Sequence, residues 1–294
     1  MRSKMKKNGF YSSVHPEMPL LIIFSDLDGT LLDHDTYLWE DARPALEKCT
    51  AEKVPVILVS SKTRAEMDIL RKKMGIEAPF VSENGGGIFF PPGLGNRIPP
   101  EAKEDDGLWK WKLGADYYEI TRTLKELRSE LTFPLKGFHE MGPSEISRVT
   151  GLDPVESRLA LNREFDEPFI ADFRVPSDGS LLEQAVARRG LNISSGGRFF
   201  HLFRHGGKED AVEKLINWYK AECGVIVTAA LGDSPNDFAM LERVDYPVLV
   251  KSSHSFPELH HRIKRLKTTT NTGPRGWNTA VIALIDELQG GSDE

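Results

Sequence analysis

The chain has 294 residues, of which 39% are hydrophobic and 28% charged, with a net charge of −6 and a pI near 5.8. This length exceeds what one compact core usually organises, so two domains are expected. The acidic balance argues against a nucleic-acid backbone as the main partner, and no apolar run approaches the ~20 residues of a membrane helix.

Residues 1–18 are basic but lack an apolar stretch after their charges, so they read as a loose leader, not a secretory signal. The cytoplasm is then the default location, and Gly290–Glu294 reads as a frayed tail. From Leu20 to Phe24 a short apolar run leads into Ser25-Asp26-Leu27-Asp28-Gly29-Thr30. A helical pattern follows at Asp41–Glu52. Val54–Val59 leads into Ser60-Ser61-Lys62, followed by a second helical pattern at Arg64–Met74. The middle of the chain differs, with Pro-Pro pairs, helical stretches at Asp116–Leu131 and Ser180–Arg189, and a strand-like piece at Phe169–Val175. Trp109 and Trp111 alternate with lysines there, as on an exposed strand or loop edge. The first pattern resumes with a helix at Lys208–Tyr219 and an apolar run Val225–Leu231 that leads into Gly232-Asp233-Ser234-Pro235-Asn236-Asp237. A helix at Phe238–Arg243 and a strand at Tyr246–Val250 follow. Cys49 and Cys223 have neither a disulfide framework nor metal-ligand spacing.

Continuous apolar runs of this length predict strands buried on both faces, hence a parallel sheet. Alternation with helices predicts an α/β fold, a doubly wound parallel-sheet core with an inserted α+β cap. The expected boundaries are 19–90 and 199–290 for the core and 91–198 for the cap. In open α/β sheets ligands bind beyond the carboxyl ends of the strands. The polar residues that follow the three runs therefore converge on one site.

Asp26 and Asp28 lie two apart where a strand ends, a period that points both side chains the same way. Two carboxylates this close repel unless one is protonated or a cation neutralises them. A bound Mg²⁺ favours an ionised Asp26 as nucleophile toward phosphorus, while a protonated Asp28 acts as acid and then base. Asp233 is the obvious third oxygen donor for the metal, and Asp237 supports it or acts through water. An isolated Asp-x-Asp is also a common turn or cap; the second acidic motif after another buried run tips the balance toward chemistry. Phosphoryl transfer needs donors and positive charge around the equatorial oxygens. Ser60, with Ser61 and Lys62 beside it, offers a hydroxyl and backbone N–H groups at a helix start, and Lys208 a point charge. Lys62 is a weaker rival for the role of Lys208; a lysine at a helix start is by itself usually a solvated surface group, but the Gly206-Gly207 turn and the place after the insert favour the functional role for Lys208.

These residues carry a resemblance. Asp26-Leu27-Asp28-Gly29-Thr30-Leu31-Leu32, Ser60, Lys208 and Gly232-Asp233-Ser234-Pro235-Asn236-Asp237 look like the four motifs of the haloacid dehalogenase superfamily, in the right order. The insert resembles the α/β cap of the Cof-like sugar-phosphate phosphatases. Ser60–Glu66, Ser82–Gly86, Arg163–Pro168, Gly196–Leu202 and Gly273–Trp277 resemble the mannosyl-3-phosphoglycerate phosphatases. The resemblance implies a phosphatase working through a phospho-aspartate on Asp26. Asp28 would be acid/base and would also give its backbone carbonyl to a metal held by Asp26 and Asp233. Ser60 and Lys208 would hold phosphate; Asn236 and Asp237 would support Lys208 and a metal-bound water. The implied substrate is a glycosyl-3-phosphoglycerate, and its product a compatible solute. A general sugar-phosphate phosphatase and a phosphomutase remain alternatives on the same core. One departure is Phe165-Asp166, where this branch leads one to expect Tyr-Ser.

A substrate with a carboxylate and hydroxyls calls for a guanidinium fork with amide and carboxylate groups. Arg198 is the first candidate in the cap, followed by Arg163, Glu167, Asn84 and His201. Arg163 and Glu167, four apart, are also read as a helix-face ion pair, and His201 as a core histidine.

Overall fold

The computed structural model describes residues 19–94, 97–196, 199–204 and 206–290; the expected leader 1–18 and residues 291–294 of the expected tail lie outside them. Its strands are β1 (Leu20–Ser25), β2 (Val56–Leu58), β3 (Phe80–Ser82), β4 (Gly87–Phe90), β5 (Lys103–Asp105), β6 (Leu108–Lys112) and β7 (Leu135–Gly137). They continue with β8 (Asp166–Ala171), β9 (Asn192–Gly196), β10 (Phe199–Phe203), β11 (Ile226–Gly232), β12 (Tyr246–Lys251) and β13 (Lys267–Thr272).

The central sheet has the order β13-β12-β11-β1-β2, with every neighbouring pair parallel. From β1 the chain winds outward to β2, and from β11 outward the other way through β12 to β13. The strand order therefore reverses between β1 and β11, the place where a doubly wound sheet opens a ligand crevice. Every residue of β1 is buried, as an apolar run covered on both faces requires. Its register places Leu20 opposite Ile226 and Ser25 opposite Leu231, so the segments beyond both strands leave the sheet side by side.

Two antiparallel sheets complete the fold, β3-β4-β6-β5 and β7-β8-β10-β9. The first continues the central sheet through a parallel bridge between Val59 and Val81. Phe80, Phe89, Phe90, Ala102 and Leu108 share the core of the main domain. The second sheet has separate apolar cores, one built around Ile120, Leu124, Phe169 and Leu202.

This packing corrects both expected boundaries. Residues following Phe90 stay with the main domain through β6, because β6 pairs with β4 and Trp111 and Leu113 pack on the same core. The Trp109–Trp111 segment thus belongs to the main domain, not to an edge of the cap. At the other end β10, expected in the core, pairs with β8 and β9 inside the cap. The strand expected at Phe169–Val175 begins earlier and ends at Ala171.

Candidate active site

Asp26 directly follows β1, and its N–H donates to the carbonyl of Leu231 at 3.0 Å, extending the β1–β11 pairing by one residue. Beyond it the chain turns tightly: Leu32 N–H donates to Leu27 O at 2.8 Å and Gly29 N–H to Leu32 O at 2.9 Å. Gly29 has φ +82°, and a Cβ there would lie 2.6 Å from Asp233 Oδ2. Glycine therefore lets the first acidic loop close on the second. Thr30 Oγ1 donates to Asp233 Oδ1 at 3.2 Å across the same gap.

Asp233, just after β11, is buried, and Asp237 is completely so. Asp237 Oδ2 accepts from the N–H groups of Asp233 and Ser234, both at 3.2 Å, and so shapes the second loop. Its other oxygen accepts from Lys208 Nζ at 2.7 Å, and the same ammonium donates to Asp26 Oδ1 at 2.6 Å. Lys208 opens the helix Lys208–Cys223 and is only 2% exposed, which excludes the solvated-surface reading. Its loop is wedged in place: Gly85, at φ +102°, lies so near Gly207 that a Cβ would meet the Gly207 carbonyl oxygen at 2.1 Å.

Asp26, Asp233 and Asp237 each offer an oxygen, and these atoms lie within 4.8 Å of one another. Burial, followed by the charge of Asp237, pushes the Asp26 carboxyl well above the usual carboxylate range. The same two causes raise Asp233 to about 6. Three desolvated carboxylates facing one ammonium leave excess negative charge, and hard oxygens at this spacing suit a divalent cation. The residues present therefore fit a metal ion. The Asp28 carboxylate is not part of this group; it faces Lys62, whose Nζ lies 3.0 Å away.

Ser60 is buried where the chain leaves β2, and Lys62 N–H donates to its Oγ at 3.2 Å. Thr63 then caps the helix Arg64–Lys73 reciprocally with Glu66. The Lys62 ammonium also sits over the Tyr37 ring, 5.2 Å from its centre. Burial alone would lower its pKa, but the charges of Asp28 and Glu66 hold it above the usual lysine range.

The cap joins this centre through a buried hinge. Glu83 is fully buried, and its carboxylate accepts the N–H groups of Glu164, Phe165 and Asp166 at 2.8 to 3.1 Å. Arg163 donates from Nε to Asp166 O at 2.8 Å and from Nη2 to Ser61 O at 2.9 Å. Glu167 accepts from the Tyr117 hydroxyl and the His139 N–H, and its Oε1 lies 2.7 Å from His139 Nδ1. Arg163 and Glu167 therefore form no helix-face pair: Glu167 lies in β8, and each has other partners. Asn84 Nδ2 donates to Asp166 Oδ2 at 2.8 Å. Arg198 lies outside the described residues.

A cleft of about 610 Å³ lies between the two domains. Asp26, Asp28, Ser61, Lys62, Asp233 and Asn236 line its core side, and Arg163 and His201 are among the residues of its cap side. Ser60, Asn84, Glu167, Lys208 and Asp237 are buried behind this lining. Sequence reasoning missed Glu83, although its neighbour Asn84 was singled out. It also passed over Tyr37, which follows the first motif, and Asp166, whose only signal was its departure from the branch pattern.

Residues 23–92 match the family described as haloacid dehalogenase-like hydrolase. The chain is 37% identical over 267 residues to a glucosyl-3-phosphoglycerate/mannosyl-3-phosphoglycerate phosphatase of Methanococcoides burtonii, covering 90% of this chain and 97% of that protein. It is 36% identical over 274 residues to a protein of the same name from Persephonella marina, covering 92% and 99%. Among solved structures it resembles a phosphatase of the HAD enzyme superfamily from Bacteroides thetaiotaomicron, with a TM-score of 0.63 at 15% identity and coverage of 98% and 99%. No described helix is long and apolar enough to cross a membrane.

Proposed function

Because the chain belongs to the glucosyl-3-phosphoglycerate/mannosyl-3-phosphoglycerate phosphatase family of haloacid dehalogenase-like hydrolases, we propose that it hydrolyses a glycosyl-3-phosphoglycerate to glycosylglycerate and phosphate. The observation that carries the chemistry is the Asp26 carboxylate, buried at the strand-order reversal with Asp233, Asp237 and Lys208 around it.

In this reading Asp26 attacks phosphorus, the ester P–O bond breaks, and the departing oxygen takes a proton from Asp28 to leave as a hydroxyl. Water then cleaves the aspartyl phosphate, giving its proton back to Asp28 and releasing inorganic phosphate. Lys208 holds one phosphoryl oxygen, and Ser60 supplies a further donor. Mg²⁺, suited to the hard oxygens of Asp26 and Asp233, would neutralise charge on the transferring group. Asp237 keeps Lys208 oriented and shapes the loop that carries Asp233. The anionic substrate competes with Asp28 for Lys62 and so frees Asp28 to carry a proton. Asn84 and Arg163 brace the cap against the phosphate loop from behind, with Glu167 fixing the adjoining strand.

The test is phosphate release with Mg²⁺ from glucosyl-3-phosphoglycerate, mannosyl-3-phosphoglycerate, hexose phosphates and 3-phosphoglycerate. The proposal predicts the largest kcat/KM for a glycosylated phosphoglycerate. Preference for a plain sugar phosphate, or an isomerised ester with no free phosphate, would contradict it.

A further inference from the structure

We propose that His201 reads the sugar of the substrate, its Nε2 sharing a hydrogen bond with a glycosyl hydroxyl while Asp166 fixes the opposite edge of the ring. The inference rests on the glycosyl-phosphoglycerate reading and names the residue that makes the glycosyl group count.

His201 lies in β10, and Asp166 in the adjoining antiparallel strand β8, two registers away on the diagonal. His201 Nδ1 is 2.9 Å from Asp166 Oδ1 and 3.0 Å from Oδ2. Asp166 is fully buried and also takes Asn84 Nδ2 at 2.8 Å and the Arg163 guanidinium at 3.2 Å. Burial pushes its carboxyl up, but His201 and Arg163 bring it down to about 2. An ionised carboxylate only accepts, so a ring proton sits on Nδ1 and the ring is held with Nε2 at its opposite edge, the polar atom left to meet a hydroxyl.

The ring belongs to the cleft wall, and its neighbours leave it the task. Among the described cap residues that line the cleft, the polar side chains are Thr150, Arg163 and His201. Arg163 is committed to the carbonyls of Asp166 and Ser61, and the Thr150 hydroxyl donates to Ile146 O at 2.6 Å. Phe138 and Phe199, edge to face with centres 5.0 Å apart, give the same wall an apolar surface for the C–H face of a sugar ring. The departure from the branch pattern at Asp166 thus has a structural use. It holds a strand histidine in a fixed orientation and, through Arg163, ties that ring to the phosphate loop.

The test compares wild type with His201→Phe and His201→Asn. The asparagine keeps an amide for Asp166 but is too short to reach the substrate, and it guards against a phenylalanine variant that fails to fold. Phosphate release is measured with Mg²⁺ from both glycosyl-3-phosphoglycerates and from 3-phosphoglycerate, which lacks the sugar. The ratio of kcat/KM, glycosylated over plain, is expected to fall about ten-fold or more in both variants, mainly through KM. An unchanged ratio, or equal losses on both substrates, would overturn the inference while leaving the activity itself established. A wild-type protein that releases no phosphate from either glycosylated ester overturns the parent reading and this one together.

Discussion

The ammonium of Lys208 donates to Asp26 Oδ1 at 2.6 Å inside a site from which solvent is nearly excluded. Burial alone would lower the Lys208 pKa, yet Asp237 and Asp26 hold it above the usual lysine range, so the charge is permanent. It offsets part of the repulsion among three carboxylates and, in the proposed mechanism, holds an arriving phosphoryl oxygen. Lys208→Met, similar in length but uncharged, is expected to lower kcat by about 10²- to 10³-fold, the usual effect of losing one preorganised donor. Steady-state phosphate release measures it; a loss under three-fold would contradict the role.

Metal-free protein should show a particular pH dependence. Asp233 is raised to about 6 from its ordinary value of 3.8. The folded state therefore holds its proton more tightly than the unfolded chain. The associated stability is present below about pH 4 and is lost as pH rises through about 6. A divalent cation takes the place of the proton, so the rise in melting temperature on adding Mg²⁺ should grow from pH 4 to pH 7. Thermal scans with chelator or Mg²⁺ check this. A Mg²⁺ effect that is constant with pH would contradict it.

The hinge predicts a stability effect far from the chemistry. Glu83→Ala leaves the buried N–H groups of Glu164, Phe165 and Asp166 without their acceptor and removes the Glu83 carboxyl 3.5 Å from Arg163. Breaking such a buried set costs about 3–5 kcal/mol, readable as a shift in the denaturation midpoint. Glu83→Gln keeps one acceptor oxygen and should cost clearly less. Equal effects of the two variants would contradict the assignment.

Gly29 tests how closely the two acidic loops must approach. An alanine there adds a Cβ 2.6 Å from Asp233 Oδ2 at a backbone angle of φ +82°. Left-handed backbone costs a non-glycine residue about 1–2 kcal/mol, and the contact pushes Asp233 away from Asp26. Gly29→Ala should weaken Mg²⁺ binding at least ten-fold in a calorimetric titration while the protein stays folded. Unchanged affinity would show that the loops do not need this contact.

The catalytic half was legible in the sequence because its signals are local. Apolar runs announce parallel strands, and the residues that end each run must meet at one sheet edge, so Asp26, Ser60 and Asp233 could be brought to one edge from the chain alone, while Lys208 was singled out by its place at a helix start. The cap was harder for the opposite reason. Glu83, Asp166 and His201 work through contacts 35 to 83 residues apart along the chain, and no period or turn signal encodes such pairings. The boundaries slipped likewise: β6 and β10 look alike as short aromatic strands, and only their pairing partners tell core from cap. The strand β13, rich in threonine and exposed at the sheet edge, carries no apolar run to betray it.

The most direct test of the central claim is covalent trapping on Asp26. Substrate labelled in its phosphoryl group is mixed with enzyme and Mg²⁺, quenched in acid within one turnover, and the labelled peptide is sequenced by mass spectrometry. The account predicts a hydroxylamine-sensitive phosphoryl group on Asp26, with label and phosphate release both lost in Asp26→Asn. Label on another residue, or wild-type turnover in Asp26→Asn, would contradict it.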